Sequence, residues 1–274
     1  MRGVATDEPS TDSLMLPRRP WRPLVTATAA IGAALMAGAV ALGTVPTFLV
    51  TGLAMVLLAG GWVLLLGLPS PRGTTAVLAG ASLILLGGGV LSQEARTMLL
   101  PGAVALAMIV EFVHQLARRD GRPRLVESVS GSITGITLLT SGACVLLLTA
   151  SPAGVATSVT IFAAVAVASL ADVGLRWGGG GPLTGALAIG LGALVAALLG
   201  PAVGAELPLA VLALAGGLAA GSSYALRQVQ SVLPTLFGRR AQIASGVSSV
   251  LAPGVLAYAL TWIALGPDMM AVMH

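Results

Sequence analysis

Residues 46–67 read PTFLVTGLAMVLLAGGWVLLLG and contain no charged side chain. As a helix rising about 1.5 Å per residue, such a segment matches the hydrocarbon core of a bilayer, about 30 Å thick. The same reading extends outward in both directions. Apolar stretches at 23–43, 46–67, 74–92, 98–117, 128–149, 155–174, 183–201, 205–225 and 241–266 are each of spanning size. Turn-forming residues separate them, including Pro69 to Gly73, Gln93-Glu94, Asp120 to Pro123, Ser151-Pro152, Gly178 to Pro182, and Pro201. Composition agrees: 56% of the 274 residues are hydrophobic and 9% charged, where soluble domains carry roughly a quarter charged. Mean hydropathy is +0.97, and so apolar a chain has too little polar surface to dissolve in water. The expected fold class is an all-α integral membrane protein with nine transmembrane helices.

Arginine placement supplies an independent reading, because basic residues stay on the cytoplasmic side of short loops. With the N-terminus in the cytoplasm, inner segments hold Arg18, Arg19, Arg22, Arg72, Arg118, Arg119, Arg122, Arg124, Arg176, Arg227, Arg239 and Arg240. Outer segments hold Arg96, and Arg2 lies far from any span. One span more or fewer would reverse every later cluster, so this asymmetry predicts both the count and an extracytoplasmic C-terminus. The pI near 10.5 then reflects topology, and no nucleic-acid partner is expected. Residues 1–22 read as a disordered cytoplasmic tail, 23–266 as the polytopic domain, and 267–274 as a short outer tail. A 4+4+1 organisation is visible in outline, as 23–117 and 128–225 plus 241–266. The absence of lysine and the abundance of alanine and glycine suggest a GC-rich bacterial gene, and hence a plasma-membrane location.

The densest polar region runs from Glu111 to Ser141. Glu111, His114, Gln115 and Arg118 fall at i, i+3, i+4 and i+7, one stripe at the inner end of the fourth span. Arg118, Arg119, Arg122 and Arg124 follow in the loop, and Glu127 opens the fifth span. Arginine forks bind phosphate and carboxylate bidentately. Glu111, His114, Arg118, Arg119, Arg122, Arg124 and Glu127 are therefore the candidate site for an anionic lipid or small anionic ligand at the cytoplasmic face. Ser130, Thr134, Thr137 and Ser141 form a polar face along the fifth helix, beside a stripe of Gly131, Gly135 and Gly142. Such a face packs helices or lines a polar path.

Other patterns carry less. Asp172 and Arg176 have the i, i+4 spacing of a local ion pair. Leu226, Val229, Val232, Leu233, Leu236 and Phe237 oppose Arg227, Gln228 and Gln230, as in an interfacial amphipathic helix interrupted at Pro234. Pro101, Pro208 and Pro253 are expected to kink or begin spans. Gly217-x-x-x-Gly221 offers a contact for a neighbouring helix or an oligomer. Cys144 stands alone in an apolar run. Glu111-x-x-His114 is half of a carboxylate-bridged metal motif, but the only other histidine is the terminal His274. No metal, cofactor or catalytic residue is expected.

The string EFVHQLARRDGRPRLVESVSG, residues 111–131, resembles one in uncharacterised multi-pass membrane proteins of high-GC Gram-positive bacteria. The resemblance implies the membrane assignment and marks the loop as a shared core. Nine spans are also a feature of the membrane cytidylyltransferases that make CDP-diacylglycerol. Their Lys-Asp, Gly-His-Gly-Gly and Ser-Pro-Lys-Lys strings are absent here. Many spans, tiny loops and a polar helix face make a transporter or permease-like protein the leading expectation. A membrane scaffold or partner subunit, and a lipid-headgroup or cell-envelope assembly enzyme, are the alternatives.

Overall fold

A computed structural model describes residues 21–89, 93–118, 121, 123–177 and 181–265. Most of the proposed N-terminal tail, the outer tail, Arg119 and Arg122 lie outside the described residues. The described chain is helical, with no strand among the described residues: α1 (Pro23–Leu42), α2 (Thr44–Leu66), α3 (Pro71–Gly89), α4 (Gln93–Ala117), α5 (Leu125–Leu148), α6 (Pro152–Ser169), α7 (Gly181–Ala202), α8 (Leu209–Gln230), α9 (Arg239–Leu251) and α10 (Gly254–Leu265). Short 3-10 turns follow α6, at Leu170–Trp177, and α8, at Pro234–Phe237.

Eight helical segments among the described residues are long and apolar enough to cross a membrane. They comprise α1, α2, the Leu100–Ala117 part of α4, α5, α6 with the start of its 3-10 turn, α7, α8, and the α9–α10 run. The ninth expected span coincides with α3, which falls outside that set. Arg72 in its first turn and Gly87 to Gly89 at its end dilute its apolar content. Large apolar side chains such as Leu53, Val56, Leu83, Leu198 and Leu214 point out of the bundle and are exposed. In water this would be an untenable apolar surface; against lipid chains it has no such cost.

Local chemistry sets the helix ends. Pro23 and Pro152 occupy first-turn positions, where a missing N–H is harmless. The Ser151 hydroxyl caps α6 by accepting from the Gly154 N–H at 3.0 Å. Gly43 turns the α1–α2 corner at φ +114°, a conformation costly for any residue with a Cβ. Pro101 is accommodated inside α4, and Pro208 caps α8.

Packing brings α9 to the centre. It lies against α1, α2, α5 and α8, and Ala241, Ala244 and Ser245 to Leu251 are all buried. Trp62 of α2 is buried, and its indole N–H donates to the Gly131 carbonyl at 2.8 Å. The glycine stripe of α5 takes up its neighbours: Gly131 faces Leu66 and Leu68, Gly135 faces Leu78 and Trp62, and Gly142 faces Leu251. Helices α7 and α8 approach so closely that a Cβ on Gly216 would sit 2.3 Å from both the Ala196 Cβ and the Gly192 carbonyl oxygen. Gly217 and Gly221 face Ile189 of α7, so that spacing is used within the chain.

One local expectation is corrected. The stretch 226–240 is not one interfacial helix, because α8 runs on to Gln230 and the chain then turns through Pro234 into α9. Its polar side faces inward: Arg227, Gln228 and Gln230 are buried, as is Leu236, while Val229, Val232 and Phe237 are exposed. Facing lipid rather than water, these three apolar side chains turn outward. As its proline implies, the last expected span is broken at Ala252-Pro253, where proline cannot donate to the helix ladder. Finally, Asp172 pairs with Arg227 of α8, as described next.

Candidate functional site

Two buried polar clusters lie where α1, α6, α8 and α9 meet and where α4 and α5 meet, at the end of the bundle carrying the α2–α3 and α4–α5 loops. The first is centred on Arg227. Its Nε donates to Asp172 Oδ2 at 2.8 Å and its Nη2 to Oδ1 at 3.3 Å, a bidentate pair. Nη1 donates to Ser223 Oγ at 2.7 Å and to Ser249 Oγ at 3.3 Å. The Thr26 hydroxyl lies 3.5 Å from Asp172 Oδ2. One turn nearer the end of α8, Gln230 Nε2 donates to Ser248 Oγ at 3.0 Å. Both charged side chains are almost fully enclosed. Asp172 and Arg227 each belong to a segment apolar enough to span a membrane. A buried charge is tolerated there only when paired and hydrogen-bonded.

Three hydroxyls on different helices stand apart. Ser245 Oγ of α9, Ser158 Oγ of α6 and Thr74 Oγ1 of α3 are fully buried, with no hydrogen-bond partner among the described residues. Serines in spans usually satisfy themselves on a carbonyl one turn back, as Ser248 and Ser249 do at i−3. The α9–α10 break is closed from α5. Ser141 Oγ contacts the carbonyl oxygens of Leu251 and Ala252 at 2.8 Å each and accepts from the Val255 N–H at 2.9 Å.

The second cluster contains part of the site expected from sequence. Glu111, Gln115, Arg118 and Ser128 are buried together between α4 and α5. Gln115 is the hub: Nε2 donates to Glu111 Oε1 at 2.6 Å and to Ser128 Oγ at 2.9 Å, and Oε1 accepts from Arg118 Nη1 at 2.9 Å. Glu111 Oε2 has no partner among the described residues. His114 points elsewhere: its ring lies against the backbone of α3 at Gly73, with Nε2 3.4 Å from Ser70 Oγ. Arg124 also turns away from Arg118. It adopts a left-handed backbone conformation (φ 53°) and donates from Nη1 to the Gly67 carbonyl at 2.9 Å and from Nε to Glu127.

Along α5, Ser130 bonds back to Glu127 O, Thr134 to Ser130 O and Thr137 to Ile133 O. These three side chains are on the outer surface of the helix, whereas Ser141 is buried at the break. Sequence reasoning thus reached the α4–α5 cluster and missed the Asp172–Arg227 cluster. The available signal was the serine spacing of α9, with Ser245, Ser248 and Ser249 at i, i+3 and i+4 on one face. Comparison with known protein families, curated proteins and solved structures finds no match to this chain.

Proposed function

We propose that the chain is a permease-like transport protein of the bacterial plasma membrane. It crosses the bilayer nine times, with its N-terminus in the cytoplasm and its C-terminus outside. In this reading α3 counts as a crossing despite its shortened apolar run. Arginine asymmetry supports the orientation.

The observation carrying the function is the α9–α10 segment. The helix nearest the middle of the bundle is also rich in serine, is broken at Pro253, and contacts a buried ion pair. A scaffold needs none of these, since apolar side chains pack helices at lower desolvation cost. Irregular backbone and paired charges at membrane depth belong to proteins that pass polar cargo. The orphan hydroxyl of Ser245, one turn from Ser248 and Ser249, is a group that a polar cargo or its hydration water would use. The Arg227 guanidinium and the Asp172 carboxylate give the site both signs of charge.

The test compares cells lacking the chain with cells complemented by wild type, Pro253→Ala or Asp172→Asn. Small molecules inside the cells and in the medium are profiled by mass spectrometry. Loss of the chain should redistribute at least one polar metabolite. Wild type should restore it, and the two variants should fail to do so although present in the membrane at normal level. Full restoration by both would contradict the proposal and favour a scaffold.

A further inference from the structure

We infer that the groove between α5 and α8 binds an anionic phospholipid, with one acyl chain lying in the groove and the phosphate at Arg124. This site opens on the outer face of the bundle, touching the polar interior only through Gln230, and stands whether or not the chain transports. The groove is a cavity of about 370 Å³ at the inner end of the bundle, within the range of small-molecule sites. Trp62 and Leu66 form its floor, Thr134 one wall, and Leu226, Val229 and Leu233 the other. Thr134 and Val229 are exposed on the outer surface of the bundle. The groove therefore opens sideways, where a membrane-embedded helix meets lipid chains rather than water.

Arg124 and Glu127 stand at the mouth. A left-handed backbone is uncommon and strained for a residue with a side chain, and such strain collects at binding sites. Here it holds the guanidinium between the Gly67 carbonyl and Glu127. The two bonds use Nη1 and Nε. Nη2 remains for a phosphate oxygen, and the side chain is half exposed. Glu127 offsets part of the charge. The first turn of α9 adds the exposed Arg239 and Arg240, at the same end because the Arg240 carbonyl lies against Gly61 of α2. Basic residues at this level favour anionic headgroups.

Trp62 in the floor is a built-in reporter. A variant with Trp21→Phe, Trp177→Phe and Trp262→Phe keeps it alone, and a second variant keeps only Trp262, which is outward-facing and 47% exposed. Both are placed in phosphatidylcholine vesicles containing rising fractions of dibrominated phosphatidylglycerol or dibrominated phosphatidylcholine. Trp62 should be quenched at a several-fold lower fraction of the brominated anionic lipid than of the zwitterionic one. Trp262 should not distinguish them. Arg124→Gln should erase the preference, and Thr134→Phe, which fills the groove, should reduce quenching of Trp62 by either lipid. Equal curves for the two lipids, a Trp62 curve matching that of Trp262, or a preference surviving Arg124→Gln would overturn the assignment.

Discussion

Arg227 makes four side-chain contacts, two to Asp172 and one each to Ser223 and Ser249, and these tie α8 to the α6 turn and to α9. Removing one member leaves the other buried and unpaired, at a cost of about 3–5 kcal/mol. Removing both with apolar residues of similar volume costs far less. We therefore expect Asp172→Leu and Arg227→Met each to lower the unfolding temperature in detergent strongly, and the double variant to recover much of the loss. Additive losses would show that the pair is not coupled. Helical spacing offers Asp172 only neighbours on its own helix, such as Arg176, whose side chain lies outside the described residues. The partner observed, Arg227, is 55 residues away, a distance that no periodicity encodes. Glu111 and Gln115 were legible for the converse reason: both lie on one helical stripe, and their bond at i, i+4 follows from helix geometry.

At the scale of elements, α7 and α8 join through backbone rather than side chains. Gly192 and Gly216 place each helix against the other's carbonyl, and Ala196 and Ala220 flank the contact. Gly216→Val would drive the helices apart, with an expected loss on the order of 1–3 kcal/mol from overpacking alone. Gly38→Val, where a Cβ would meet nothing within 4 Å, should be near neutral in the same thermal assay. Equal effects would refute the close-approach reading. Apolar length made most helices visible from sequence, and proline and glycine punctuation placed their ends to within a few residues. The exception is 226–240, whose polar face was assigned to water. The same amphipathic pattern can bury either side, and the surrounding medium decides which. Ser245, Ser248 and Ser249 were overlooked because a span was read for its apolar content, whereas the function of a central helix is carried by its exceptions.

For the whole molecule, the outward Leu and Val side chains, the buried charge pair and the broken α9–α10 segment form one arrangement: an apolar exterior around a largely apolar core whose central helix, α9, is serine-rich and broken. Packing alone would leave that helix sealed. Transport requires it to open to water in some state, while a static bundle keeps it closed. The measurement is cysteine labelling in a Cys144→Ser background, with cysteine placed singly at Ser245, Ser248 and the exposed Arg239. A small membrane-impermeant thiol reagent is applied to intact cells and to inside-out vesicles. Arg239→Cys should react only in inside-out vesicles, which fixes the orientation. Ser245→Cys and Ser248→Cys, although buried in the structure, should react from at least one side. If both remained inert from both sides while Arg239→Cys reacted, the serine-rich helix would be fixed packing and the transport reading would be wrong.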